Sequence, residues 1–268
     1  MIGTALVESL VQAVALSHRI KGYSRVSLLL LAAPESGKTT IATAATCEHV
    51  ARVAMISGRS VLKEMADHPK TEFLLFNDLS AVKAMSFTAV NLLIVLLNQL
   101  TQDEHGIVAF AGQPAELITR QVGVIGCMPF DTFIDHRSRW RALGFISRMI
   151  PFAYRYRAEL IAEIKDSIDG GEHVKKRQST RKLPRRSVQR PVSISLTDAR
   201  TKVVRRLADA KATELGQHGI RLLANYHSLI RAHALLEHRR HVNDSDLAWL
   251  RAVNAYVSVS ECRPLAEE

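Results

Sequence analysis

Residues 32–40 have the sequence Ala32-Ala33-Pro34-Glu35-Ser36-Gly37-Lys38-Thr39-Thr40. They follow an apolar run, residues 26–31, and precede a run compatible with a helix, residues 41–50. A strand, a tight loop and a helix, with Gly-Lys-Thr where the loop meets the helix, are typical of a loop that holds nucleotide phosphates. The backbone N–H groups of such a loop favour an anion. The motif therefore predicts a nucleotide-binding set, which comprises Ala33, Pro34, Glu35, Ser36, Gly37, Lys38, Thr39 and Thr40.

Three residues of this loop have specific predicted roles. Gly37 lets the backbone approach the phosphates because it lacks a Cβ atom. The Lys38 amine would reach the β- and γ-phosphates, and the Thr39 hydroxyl would ligate Mg²⁺. The usual pattern has glycine where this chain has Ala32, and we expect nucleotide binding to survive this small change. The alternative is a Ser-Gly-Lys-Thr tetrapeptide that occurs by chance in an ordinary loop.

A second stretch, residues 72–80, ends an apolar strand with a polar pair. In nucleotide hydrolases such a strand places one carboxylate near Mg²⁺ and another near the attacking water. The commoner pair is Asp-Glu, whereas this chain has Asn77 and Asp78. We predict that Asn77 lies beside the Mg²⁺ ion and that Asp78 activates the attacking water. Thr39, Asn77 and Asp78 therefore form the predicted metal-binding set. The alternative is a plain strand-to-turn junction, where Asn-Asp is common.

Composition narrows the class of protein. The chain has 268 residues, 47% of them hydrophobic, and a formal net charge of +10. A basic chain favours an anionic partner, with DNA as the first candidate.

The cysteines, Cys47, Cys127 and Cys262, lack the spacing of a metal site and predict reduced thiols in a cytoplasmic protein. The most apolar stretch, residues 87–97, is too short to span a bilayer, so we expect no membrane partner.

The first part of the chain alternates apolar strands with helical segments. Over residues 1–168 this alternation predicts an α/β core, with a parallel sheet flanked by helices. Residues 106–121 predict a hairpin that leads into one long strand, residues 117–128. Residues 150–156 predict the last core strand.

The second part changes composition sharply. Residues 169–191 carry many basic side chains, and no acid separates them from Lys175 to Arg190, which predicts a flexible cationic linker. This linker either tethers its neighbours or contacts a phosphate backbone. Residues 192–268 have a helical pattern and predict a small all-helical domain with a frayed tail after Ser258.

Together these motifs resemble the AAA+ ATPases, a family of P-loop enzymes with an α/β core and a helical lid. Residues 32–39 look like the family's Walker A motif, and residues 73–78 look like its Walker B strand. Residues 106–129 are similar to the hairpin and strand of the branch that contains the minichromosome-maintenance helicases. The chain also resembles the short ATPases of phages and mobile elements. The resemblance implies a P-loop core at residues 1–168 and a lid at residues 192–268, with ATP and Mg²⁺ as cofactors.

The resemblance also implies roles for two arginines. Residues 144–149 are similar to the segment that carries the family's arginine finger, which would be Arg148. Residues 219–234 are similar to the lid segment with the sensor-2 arginine, which would be Arg221 and would bind the nucleotide. The alternatives are a solvated Arg148 and an Arg221 paired with a carboxylate of the lid. The sensor-1 position, usually Asn, is Met128 here, and methionine cannot donate a hydrogen bond to a γ-phosphate.

An arginine finger acts on the nucleotide of a neighbouring subunit, so it predicts a ring or filament. The first functional hypothesis is therefore an oligomeric ATPase that acts on DNA and moves basic elements along the phosphate backbone. The second is a slow nucleotide-dependent switch or loader that assembles and recruits a partner protein. The altered residues Asn77 and Met128 favour this second hypothesis. The third is a structural protein with a decayed P-loop.

Overall fold

A parallel β-sheet organises the computed structural model, which describes residues 4–44, 49–102, 106–108, 116–118, 120–169 and 191–265. The strands in these ranges are β1 (Ser27–Ala32), β2 (Val50–Val53), β3 (Phe73–Phe76), β4 (Gly106–Val108), β5 (Glu116–Ile118), β6 (Gly123–Pro129), β7 (Met149–Arg155) and β8 (Arg263–Pro264). Within the described ranges, six of them form one sheet in the order β2-β3-β6-β1-β7-β8. Every neighbouring pair in that sheet is parallel, which confirms the predicted α/β class with a parallel sheet.

Helices flank this sheet. Several begin with a side chain that accepts a hydrogen bond from a backbone N–H of the first turn, namely Ser57, Ser86, Thr197 and Asn243. The α-helices in the described ranges are α1 (Ala5–Leu16), α2 (Lys38–Ala44), α3 (Gly58–Asp67), α4 (Phe87–Leu100), α5 (Phe130–Ala142), α6 (Ala158–Asp169), α7 (Asp198–Leu215), α8 (Ile220–Leu236) and α9 (Asp244–Tyr256). None of the helices in these ranges has both the length and the apolarity needed to cross a membrane.

The apolar run of β1 lies at the centre of the core. Residues 28–31 are all leucine, and all four are 0% exposed. A parallel strand covered by helices is buried on both faces, which explains why the run is continuous instead of alternating. Burying one leucine side chain is worth about 1.5–3 kcal/mol. This strand therefore anchors the loop that follows it.

The region between α4 and β6 differs in part from the sequence prediction. The hairpin is confirmed where residues 106–108 pair antiparallel with residues 116–118, and its tip lies outside the described residues. The prediction of one strand over residues 117–128 is wrong, because β5 and β6 belong to different sheets. The chain breaks between them where Gln121 Nε2 and the Val122 backbone N–H donate to backbone oxygens at the end of α4.

The prediction of a frayed tail after Ser258 is also wrong. Arg263–Pro264 forms β8 and extends the sheet beside β7. The Tyr256 hydroxyl donates to the backbone oxygen of Pro264 over 3.0 Å, and Leu265 is only 3% exposed. The buried Leu265 and the pairing with β7 thus anchor the tail to the core. The basic segment at residues 170–190 lies outside the described residues.

Three helices from the region predicted to be helical, α7, α8 and α9, pack against one another, and α8 and α9 also pack against α1. Trp249 Nε1 in α9 donates to Ser9 Oγ in α1 over 2.9 Å. The Asp246 carboxylate, 0% exposed, accepts hydrogen bonds from His233 and Arg239 and from the Asn243 backbone N–H. Burial alone would raise the pKa of Asp246, but these hydrogen bonds outweigh it and hold the pKa at about 2. Asp246 therefore ties α8 to α9.

Candidate functional site

The predicted phosphate loop, residues 33–37, joins the carboxyl end of β1 to α2. Glu35 and Gly37 have φ angles of 62° and 70°, which curl the backbone. This conformation is unfavourable for a residue with a Cβ atom, so the surrounding structure must impose it at Glu35. Ala32 does not need a left-handed backbone, because it is the last residue of β1 and pairs with Pro129 of β6. It is also fully buried. Alanine is therefore compatible with the position where the usual motif has glycine.

The Lys38 amine folds back onto the loop and donates three hydrogen bonds. Its acceptors are the backbone oxygens of Ala32 at 2.9 Å and Ala33 at 2.5 Å, and Ser36 Oγ at 3.1 Å. Ser36 Oγ in turn donates to the Ala33 backbone oxygen over 2.7 Å. Burial lowers the pKa of Lys38, and the nearby Asp78 carboxyl acts in the opposite direction. The amine is thus held inside the loop by the loop's own oxygen atoms.

The remaining residues of the predicted nucleotide-binding set differ in exposure. Ala33, Pro34 and Glu35 are exposed at the tip of the loop, whereas Ser36 is buried and Thr40 is half-buried in the first turn of α2. The tip is therefore open to a ligand, and the base of the loop is packed.

Two tyrosines hold this loop from the neighbouring strand, and we call them the tyrosine clamp. The hydroxyls of Tyr154, in β7, and Tyr156, just after it, donate to the backbone oxygen of Ser36 over 3.2 and 2.7 Å. Burial raises the pKa of both phenols, to about 12 for Tyr156, so both hydroxyls keep the proton that they donate. Sequence reasoning missed the clamp, and its only signal was a Tyr-x-Tyr pattern at the end of the last predicted core strand.

The polar pair at the end of β3 reaches the loop, although β6 lies between β1 and β3. Thr39 Oγ1 donates to the Asn77 backbone oxygen over 3.0 Å, which joins the start of α2 to the end of β3. The exposed Asp78 carboxylate accepts from the Ser80 backbone N–H over 2.8 Å. Asn77 Oδ1 is buried and has no hydrogen-bond partner within the described ranges. Such unpaired buried oxygens are rare.

The strand between β1 and β3 is apolar at the same edge of the sheet. Met128 is 0% exposed and lies opposite Leu31 of β1, so it offers no hydrogen-bond donor to the site. Its neighbour Cys127 is also buried, and burial raises the pKa of this thiol to about 12, which keeps it neutral. A Cβ atom on Gly126 would lie 2.6 Å from Leu79, so glycine lets the turn after β3 pack against β6.

Arg148 and Arg221, the arginine pair, lie beside each other at the opposite edge of the sheet. Arg148 ends the 3₁₀ helix Ile146–Arg148, and the next residue begins β7 opposite Ser27, at the amino end of β1. The six residues of β1, at about 3.3 Å each, place this edge about 20 Å from the phosphate loop. Arg221 Nη1 donates to Ser147 Oγ over 3.3 Å, so it also lies at the amino edge. The structure therefore brings the two arginines together but away from their own loop.

The arginine pair carries positive charge that no described carboxylate neutralises by an ion pair. Burial lowers the pKa of Arg148, and the Arg221 charge lowers it further. In the part of the chain that the structure describes, neither guanidinium forms an ion pair with a carboxylate. Arg148 Nη1 donates to the Gly144 backbone oxygen over 2.6 Å, and its buried Nε has no partner among the described residues. Arg148 is thus held in position beside Arg221 without a carboxylate partner among the residues that the structure describes.

Within the described ranges, no group of three or more His, Cys, Asp or Glu side chains is placed to hold a metal ion. Comparison with protein-family models and with curated proteins finds no match to this chain. The function is therefore inferred from the geometry of the site itself.

Proposed function

We propose that this chain binds ATP with Mg²⁺ at the phosphate loop and hydrolyses it as an AAA+ ATPase. Its P-loop core would be residues 1–168, with a basic linker at residues 169–191 and a helical lid at residues 192–268. The observation that carries the proposal is the meeting of four candidate residues at the carboxyl edge of the sheet. Ligands of open parallel sheets bind at this edge. The four residues are Lys38, Thr39, Asn77 and Asp78.

The loop supplies most of the proposed phosphate contacts. A backbone curled by residues in left-handed conformations directs successive N–H groups toward one point, which suits an anion. Lys38 Nζ already lies among the loop oxygens and would exchange some of those hydrogen bonds for oxygens of the β- and γ-phosphates. The tyrosine clamp holds Ser36 in place, so less of the loop must be ordered on binding.

The oxygen atoms beside the loop fit the preference of Mg²⁺. This ion takes hard oxygen ligands, with only one or two from the protein and the rest from phosphates and water. Thr39 Oγ1 can coordinate the ion while its O–H still donates to the Asn77 backbone oxygen, and Asn77 Oδ1 has no competing partner within the described ranges. When bound, Mg²⁺ would neutralise charge on the β- and γ-phosphate oxygens. Asp78 is exposed next to this point and would accept the proton of the attacking water.

The arginine pair is proposed to act on the nucleotide of a neighbouring subunit. It lies about 20 Å from its own loop, which is beyond the reach of an arginine side chain. Because Arg221 lies beside Arg148, a role in the neighbour's site is proposed for both residues, and not for Arg148 alone. An interface that joins one edge of a molecule to the opposite edge of the next is heterologous and produces a ring or a filament.

DNA is the proposed partner of this oligomer. The net charge of +10 and the basic residues of the linker support contacts with a phosphate backbone. Such contacts supply affinity without sequence choice. The β4–β5 hairpin, which forms a sheet separate from the main one, is the proposed element that moves along the DNA strand.

ATPase assays with and without DNA test this proposal in the wild type and in two variants. We expect DNA-stimulated hydrolysis in the wild type and none in Lys38→Ala or Arg148→Ala. An equal mixture of the two variants should regain part of the activity, because some interfaces then pair an intact loop with an intact arginine. Absence of DNA binding at low salt would overturn the DNA partner, and absence of recovery in the mixture would overturn the role in the neighbour's site.

A second candidate function is a slow switch that assembles with ATP and recruits a partner protein. Asn77 favours it, because an amide at the metal side lacks the charge of the usual carboxylate. Met128 favours it as well, because no donor there can contact the γ-phosphate. Nucleotide-dependent assembly combined with slow single-turnover hydrolysis would support the switch over the motor.

A further inference from the structure

Helix α6 has an apolar side that the described part of the chain covers only in part. It begins two residues after Tyr156, at the edge of the sheet that carries the phosphate loop. No residue described between positions 158 and 169 is buried. Ile161 is 42% exposed, and Leu160 and Ile164 are only half-buried. Residues three or four apart share a face of a helix, so these three side chains form one apolar strip.

The charge of α6 is opposite to that of the rest of the molecule. The helix contains four acidic residues and one basic residue, Lys165, whereas the whole chain has a net charge of +10. The acidic residues are Glu159, Glu163, Asp166 and Asp169. An apolar strip bordered by acids is unsuited to an anionic lipid surface or to nucleic acid, and it suits a basic protein surface with an apolar centre.

A surface of that kind lies at the other edge of the same sheet. Ile220, the first residue of α8, is 79% exposed, and Arg221 follows it directly. Arg148 lies beside Arg221, and neither arginine has a carboxylate partner within the described ranges. We call these three residues the amino-edge patch. It offers an exposed apolar side chain with two cations, which complements α6 in both respects.

We propose that α6 of one molecule docks on the amino-edge patch of a second copy of this chain. Within one molecule, the two surfaces lie at opposite ends of β7. Its seven residues, at about 3.3 Å each, place these ends roughly 23 Å apart, so α6 does not reach the patch of its own chain. The inference rests on the proposed function, to which it adds the surface that carries the assembly. Docking at α6 would set the neighbour's arginine pair beside the phosphate loop, and Tyr156 would link the docked helix to that loop.

Matched aspartate substitutions test the docking. Ile161→Asp alters α6 and Ile220→Asp alters the patch, while Leu92→Asp changes a side chain on α4 that is 45% exposed and serves as control. Sedimentation velocity with Mg²⁺ and a slowly hydrolysed ATP analogue measures the assembly. We expect the wild type and Leu92→Asp to form oligomers and the other two variants to remain monomers. A mixture of the two monomeric variants should form heterodimers and nothing larger, because one intact interface remains per pair.

Calorimetric titration of the same analogue separates this inference from the proposed function. All four proteins should still bind it, because none of the substituted residues contacts the loop. Ile161→Asp and Ile220→Asp should bind it more weakly than the wild type, because assembly and nucleotide binding are linked. If the wild type binds nucleotide but stays monomeric, or if Ile161→Asp assembles like the wild type, the docking of α6 is refuted and nucleotide binding stands. A wild type that binds nucleotide but stays monomeric is also the result expected if α6 binds a basic partner protein instead of a second copy. If no protein binds the analogue, the proposed function fails.

Discussion

Replacing Tyr156 by phenylalanine removes one of the two hydroxyls that hold the phosphate loop. Tyr156 donates to the Ser36 backbone oxygen over 2.7 Å, and Tyr154 donates to the same atom over 3.2 Å. The phenyl ring of each variant keeps the shape of the original side chain, so the packing of β7 should not change. The substitutions therefore isolate the effect of the clamp on the position of the loop.

The size of the effect follows from the two hydrogen bonds. A single intramolecular hydrogen bond contributes about 0.5–1.5 kcal/mol, and a buried carbonyl left without partners costs about 1–3 kcal/mol. One substitution leaves the other hydroxyl in place, so we expect nucleotide affinity to fall about five-fold, which corresponds to about 1 kcal/mol. The double variant leaves Ser36 with neither hydroxyl, and its affinity should fall by about one to two orders of magnitude.

The assay is calorimetric titration with Mg²⁺ and a slowly hydrolysed ATP analogue, combined with denaturant unfolding of each variant. Tyr226→Phe is the matched control, because the Tyr226 hydroxyl donates to Asn254 Oδ1 over 2.5 Å between α8 and α9, remote from the loop. This control should lose a similar free energy of unfolding and keep its nucleotide affinity. If Tyr156→Phe loses stability like Tyr226→Phe but binds nucleotide like the wild type, the clamp does not position the loop.

Two further predictions concern Asn77 and Asp246. Asn77→Asp should raise the Mg²⁺-dependent single-turnover rate by about tenfold, because a hydrogen bond or contact to a charged group is worth about 1.5–3 kcal/mol; an unchanged or slower rate would remove Asn77 from the metal site. Asp246 has a folded-state pKa of about 2, below the usual value of about 3.9, so its stabilisation is present above pH 4 and is lost as the pH falls from 4 toward 2. Asp246→Asn should lower the free energy of unfolding by about 2–3 kcal/mol at pH 7 and by much less at pH 2. Denaturant unfolding at both pH values measures the difference, and an equal loss at both would contradict the role of the charge.

Local patterns predicted the parts of the site that lie within one strand-loop-helix unit. The continuous apolar run before Ala32 and the Gly37-Lys38 junction are encoded by neighbouring residues, so the sequence predicts both the strand and the loop. The pair Asn77-Asp78 was likewise visible as the polar end of an apolar run. Its contact with Thr39 follows from parallel strands, whose carboxyl ends meet at one edge of the sheet.

The features that sequence reasoning missed depend on the order of strands. The tyrosine clamp exists because β7 lies next to β1, and no local pattern specifies that neighbour. The proximity of Arg148 to Arg221 depends on where α8 packs, although the two residues lie far apart along the chain. The tail was predicted to fray because terminal residues are usually poorly ordered, whereas β7 supplies a partner for Arg263–Pro264.

The most direct test of the central claim is nucleotide binding at Lys38, measured by thermal unfolding with Mg²⁺ and a slowly hydrolysed ATP analogue. At a concentration 100 times its Kd, a ligand stabilises the folded state by about 2.7 kcal/mol, which raises the Tm of a chain of this size by about 5–10 °C. We expect this shift in the wild type and its loss in Lys38→Ala, with Leu92→Asp shifting like the wild type. A folded wild-type protein with no shift, or an equal shift in Lys38→Ala, would contradict a nucleotide site at this loop.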